Sequence, residues 1–175
     1  MSSPQTHIIQ SAVSFGALYP VLGWEAAYFA APIVLIDVDH ILEFYIDTGS
    51  LDPRGFFKYY NILDRNINGH WLGLNIFHTL EFYALLVTAG FWHHGFLWAL
   101  GGCLFHHLFD QISLARRGLP FIRVFSFVEY ILRRRDKTKI LNMRRFLDRG
   151  PFANLTDDDR TYIQKWFGQG NPLPH

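Results

Sequence analysis

The chain has 175 residues, half of them hydrophobic and 17% aromatic, and a formal net charge of +1. That length supports one domain with a sizeable core, and the lone Cys103 excludes an intramolecular disulfide and a cysteine-based zinc site. The charge is unevenly placed: no Lys or Arg precedes Arg54 or falls between Arg65 and Arg116, and eleven of the 16 lie between Arg116 and Arg149.

In chain order, Ile8 to Leu22 is uncharged and apolar, with a break expected at Tyr19-Pro20 and Gly23. Trp24 to Ile46 is the second apolar run, and Asp47 to Gly69 reads as a polar, basic-leaning loop. Trp71 to Trp92 and Phe96 to Leu114 are the third and fourth runs, joined by a turn at Gly90 to Gly95. Each run is close to the roughly 20 residues that cross a bilayer. The pattern predicts an all-α fold: a four-helix up-and-down transmembrane bundle over residues 1–118. A basic amphipathic helical extension follows over 119–175.

The two short connections lack Lys and Arg, so the positive-inside rule puts both termini on the cytoplasmic side. Phe121 to Arg135 and Lys139 to Arg149 alternate apolar and basic residues and read as helices lying on an anionic leaflet, so membrane lipids are expected partners and nucleic acid is not. Thr156 followed by Asp157 to Asp159 is a helix start, with the helix running to about Phe167 and stopped by Gly168.

The chemistry concentrates in Asp37-Val-Asp39-His40-Ile-Leu-Glu43, an acidic and imidazole cluster in an apolar run. Ionisable groups in such a run need partners, and a cation supplies one for all of them. On a helix Asp37 and His40 share one face while Asp39 and Glu43 share another. Either the helix ends near Asp39, or one pair binds the ion and the other supports it. His106 and Asp110 are four apart and share a face, as do His78 and Glu81 at three apart. Such pairs suit zinc, manganese or iron, or simply satisfy one another. The topology adds what spacing cannot: His7, Asp37 to Glu43, His78 with Glu81, and His106 with Asp110 all fall at the cytoplasmic end. His93 and His94 fall at the other.

The order His7, Asp37-x-Asp39-His40, Phe77-His78-Thr79 and His106-x-x-x-Asp110 resembles the membrane-bound metal-dependent hydrolases. That family includes a LexA-regulated bacterial inner-membrane protein, and the resemblance covers about Thr6 to Leu114. The family's His-Arg-Gly-Phe-Thr-His-Ser stretch is replaced by Leu72 to Thr79, without its first His and its Arg. The family is remotely similar to the zinc-dependent phospholipase C superfamily, which implies a bacterial inner-membrane hydrolase of a phosphoester, lipid or small-molecule.

The expectation is therefore a divalent-metal hydrolase, with zinc first and manganese or iron open. Its metal ligands are drawn from His7, Asp37, Asp39, His40, His78, His106 and Asp110. Glu81 and Asp39 are the candidate catalytic carboxylates. The alternatives are a non-catalytic membrane scaffold pinned by a structural ion and, third, a haem-binding bundle. The accompanying carboxylates disfavour haem.

Overall fold

The structure is a computed structural model that describes residues 4–66, 74–119, 124–135, 143, 144, 147 and 155–168. Among the described residues every regular element is helical, as expected. They fall into two compact units: residues 1–39, 75–121 and 125–127, and residues 40–74, 122–124 and 128–175. The sequence reading placed the division near residue 118; here residues 40–74 belong with the C-terminal part.

In the first unit α1 runs Pro4–Leu22 with Pro20 inside it, so the expected break at Tyr19-Pro20 does not occur. Pro20 has no N–H to give the Gly16 carbonyl, so α1 passes through it with one bond fewer. The chain reverses instead at the 3₁₀ turn Gly23–Glu25, where Gly23 has φ +56°. That angle favours glycine over any L side chain. The return leg is two short helices, α2 (Ala26–Ala30) and α3 (Pro32–Leu35). Pro32 has no N–H to donate and sits at the first turn of α3, where none is needed. Ile36 and Asp37 form a turn before α4 (Val38–Thr48), which continues into the second unit. α6 (Leu80–Gly90) and α7 (Gly95–Arg116) complete the first unit.

The third apolar run was expected to be helical from Trp71. Residues 67–73, including His70 and Trp71, lie outside the described residues, and the α-helix begins at Leu80. Before it stands a 3₁₀ turn, Ile76–His78, and Thr79 caps α6 by accepting from the Phe82 amide. His78 is therefore in the turn ahead of the helix, and does not share a helical face with Glu81.

α1 lies against α2 and α3, these against α7, and α7 against α6. Gly102 sets the closest approach: a Cβ there would meet the Phe29 carbonyl oxygen at 2.1 Å. Ile36, Tyr83, Leu86 and Cys103 form an apolar core under Phe77, Phe82 and Leu100. At the far end Glu25 accepts from His94 Nε2 at 3.1 Å, tying the two turns together. Trp24 and Trp92 stand exposed there. Thr6–Thr48 is the one described stretch long and apolar enough, by length and composition, to cross a membrane, although Gly23 interrupts it. Leu80–Gly90 is apolar but shorter.

In the second unit the expected loop Asp47–Gly69 is mostly helix, α5 (Pro53–Asn66). Its start was written in Asp52-Pro53: Asp52 Oδ1 accepts from the Arg54 amide at 3.2 Å and the proline needs no partner. Tyr59, Ile62 and Leu63 form its buried face. α8 (Phe127–Arg134) occupies part of the stretch read as amphipathic; Arg123 lies outside the described residues, as does most of Lys139–Arg149. The last helix, α9, spans Asp157–Phe167 and is capped by Thr156 as read; the structure adds a capping box between Thr156 and Asp159. Trp166 packs on Phe44 and Tyr59, each ring centroid 5.9 Å away. The Tyr59 hydroxyl donates to Asp47 Oδ2 at 2.6 Å.

Asp159 docks α9 onto α5. Arg65 Nη2 donates to both its oxygens at 2.9 Å, and Lys58 Nζ lies 2.9 Å from Oδ1. Burial alone pushes this carboxyl up; Lys58, the Thr156 amide and hydroxyl, and Arg65 outweigh it and hold it at about 2. A depressed acid contributes fully above its ordinary value of 3.8 and loses that contribution as pH falls toward 2. The shift corresponds to about 2 kcal/mol. Trp166 fluorescence should therefore report loosening of α9 between pH of about 4 and about 2 in the wild type, and Asp159→Asn should remove that transition. In the first unit, Gly102→Ala should cost about 1–3 kcal/mol in detergent unfolding. Gly16→Ala, where a Cβ meets nothing within 4 Å, should cost none.

Candidate metal centre

The side chains that the sequence scattered over four elements of the first unit converge. His7 comes from the first turns of α1, Asp37 from the turn between α3 and α4, His78 from the 3₁₀ turn, and His106 and Asp110 from α7. His7, His78, His106 and Asp110 are each 2% exposed or less. Asp37 is the open one, with 25% of its side chain exposed.

The three imidazoles are oriented in the same way. His106 Nδ1 donates to the Ile33 carbonyl at 2.8 Å, and His78 Nδ1 to Asp39 Oδ2 at 3.1 Å. His7 Nδ1 donates to Gln10 Oε1 at 3.0 Å. The carbonyl and the carboxylate have no hydrogen to give, so on His106 and His78 the proton sits on Nδ1 and the Nε2 lone pair is left to bind. A ligand histidine held by its other nitrogen is the usual arrangement around a metal.

Those Nε2 atoms face one another and two carboxylates. His78 Nε2 is 3.3 Å from His106 Nε2. His106 Nε2 is 3.4 Å from Asp37 Oδ1 and 3.7 Å from Asp110 Oδ2. His7 Nε2 is 3.5 Å from Asp110 Oδ1 and 4.0 Å from Asp37 Oδ2, and His78 Nε2 is 4.0 Å from Asp37 Oδ1. The His7 and His106 rings stack with centroids 4.0 Å apart. Donors held about 2.1 Å from one ion stand about 3.0 Å apart at right angles, about 3.4 Å apart in a tetrahedron and about 4.2 Å across it. The observed separations fall in that range, so these His and Asp side chains are of the kind that can hold a divalent cation. The donor atoms of His7, His106 and Asp110 all lie within 4.8 Å of one another, and so do those of Asp37, His40 and His78.

Asp39 turns its Oδ2 to the back of His78 and also accepts from the Phe77 amide at 3.1 Å, so it supports the centre. His40 opens the second unit, where its Nδ1 is 3.5 Å from Glu43 Oε2 and its carbonyl accepts from Tyr60 at 2.8 Å. Glu81, expected as a base, accepts from the Phe127 amide through Oε1 at 3.0 Å, and its buried Oε2 has no hydrogen-bond partner among the described residues. His107 faces Tyr83, Phe125 and Gln111. Sequence reading missed Gln10 and the Ile33 carbonyl. Gln10 had a signal, being three residues from His7 on one helix; a backbone carbonyl has none.

No family model, curated protein or solved structure gives a significant match to the chain.

His106→Ala should abolish tight zinc binding measured by competition with a chelator in detergent. Asp39→Asn should weaken it by about 10–100-fold without abolishing it, the usual cost of losing a support beneath a ligand histidine. A complete loss in Asp39→Asn would make Asp39 a ligand.

Proposed function

We propose that this chain is a membrane-embedded, divalent-metal-dependent hydrolase of phosphoesters. The observation that carries the metal is the convergence of three Nε2 atoms, each fixed by a committed Nδ1–H, on two carboxylates. Zinc suits this nitrogen and oxygen set best, and manganese and iron suit it next. The observation that favours the membrane is the apolar surface of the first unit, where Val21 and Phe91 are 82% and 86% exposed. On this reading α1 crosses the bilayer and the shorter apolar helices of the first unit pack beside it within the membrane. Both termini and the metal centre lie at the cytoplasmic side, and the basic block after Arg116 rests on the anionic leaflet.

A bound divalent ion supplies an acidified water and a Lewis acid for the phosphoryl oxygens. The chain's residues do the rest. Gln10, Asp39 and the Ile33 carbonyl hold the three imidazoles in one tautomer. His7, His78, His106 and Asp110 close the buried sides against water. Asp37, at the open edge, is the carboxylate placed to accept the proton that the attacking water gives up. This role replaces the one expected of Glu81, which is committed to the Phe127 amide.

A second reading draws on the burial of four of the five donors: the ion would only pin α1, α7 and the two turns together. The two readings part on activity. Detergent-purified protein should carry about one equivalent of a divalent metal by elemental analysis. It should also hydrolyse an activated phosphodiester such as bis(p-nitrophenyl) phosphate. Asp37→Ala and His106→Ala should lose both properties. Bound metal with no hydrolysis across a phosphoester panel would favour the pinning role, and protein without metal would overturn both readings.

A further inference from the structure

Asp47 belongs to the second unit, outside the metal centre, and ties together three stretches that are far apart in the chain. It stands one residue beyond the apolar run that ends at Ile46, in the last turn of α4. Its Oδ2 accepts from the Tyr59 hydroxyl of α5 at 2.6 Å and from the Met143 amide at 3.0 Å. Tyr59 and Met143 are both fully buried, so water replaces neither donor while this joint is closed. In the sequence Met143 sits within the basic stretch of Lys139, Arg144, Arg145 and Arg149.

Few groups face Asp47. α5 presents the Tyr59 hydroxyl, and the Met143 stretch presents its amide. α4 itself presents Glu43, one turn earlier, whose Oε2 accepts from the Tyr60 hydroxyl at 2.8 Å. Lys58 and Arg65 of α5 are held by Asp159. Among the described residues no cation acts on Asp47. Burial therefore dominates and pushes its carboxyl up to about 6; the Tyr59 hydroxyl and the Met143 amide oppose the rise, and the charge of Glu43 adds to it.

A neutral carboxyl keeps a carbonyl oxygen for both donors and costs less to bury than a charged one. Once the joint opens, Asp47 meets water and returns toward its ordinary 3.8. The closed joint thus binds the proton more tightly than the open one. That advantage is complete below 3.8 and is lost as pH rises through about 6.

We propose that Asp47 is a proton-operated latch in the second unit. With a proton it holds the Met143 stretch firmly against α4 and α5, and without one it loosens its hold on that stretch and the basic residues it carries. The latch needs neither the metal nor the hydrolysis.

Hydrogen–deuterium exchange of the full chain in detergent tests it. The exchange is read at the Met143 amide by mass spectrometry with electron-transfer fragmentation and corrected for the intrinsic rate at each pH. The opening equilibrium should grow by at least about tenfold, and up to about 100-fold, between pH of about 4 and about 7. Asp47→Asn keeps an acceptor oxygen and has no proton to lose, so its opening should stay constant over that range. Tyr59→Phe removes a donor that favours the charged form and should move the midpoint above that of the wild type. Opening that is independent of pH in the wild type, or that changes equally in Asp47→Asn, would overturn the latch. The wild type and Asp47→Asn decide the matter on their own if Tyr59→Phe does not fold.

Discussion

Two carboxylates and three imidazoles stand within a few ångströms of one another, four of the five buried. Such a set is self-repelling in a medium where charge is weakly screened. A proton shared between His78 and His106 would answer one pair only. A divalent cation among these donors answers their charges and lone pairs together, and the observed separations suit one. The tautomers point the same way, because two of the three Nδ1–H groups are committed to partners that can only accept.

The fold serves this arrangement at specific breaks in otherwise regular helices. A straight helix from Trp24 to Ile46 would have aimed Asp37 and Asp39 in different directions with no means of using both. The turn at Ile36–Asp37 resolves this, sending Asp37 to the cluster while Asp39 reaches the back of His78. Thr79 ends the 3₁₀ turn and starts α6, which leaves His78 outside the helix and free to face His106. Gly102 allows the Phe29 backbone to approach α7, and the same face of α7, one turn later, carries His106 to the Ile33 carbonyl. Polar geometry at one end thus depends on close packing midway along the rods.

The sequence carried the helical class, the reversals at Gly23 and near Gly90, the α9 cap, and the gathering of His7, Asp37, His78, His106 and Asp110 at one end. These follow from composition, turn residues and the parity of up-and-down connections. Other features were harder to see. α5 was read as a loop because its polar face outweighs its apolar one in a simple scan, although Asp52-Pro53 marked its start. Glu81 and His78 were paired by spacing because the position of the cap at Thr79 was not used. Asp39 and Asp37 are chemically alike in the sequence, and only the backbone turn between α3 and α4 tells ligand from support. The second unit's anchor, Asp159 with Lys58 and Arg65, joins residues that are far apart in the chain, and spacing rules are blind to it.

X-ray absorption at the zinc edge of the loaded, detergent-purified protein tests the central claim most directly. The account predicts a spectrum of nitrogen and oxygen donors only, at about 2.0–2.2 Å, with the outer-shell scattering of three imidazole rings. His7→Ala should reduce that count to two rings. A shell with one ring or none, a sulfur donor, or failure of the protein to retain any ion would contradict it.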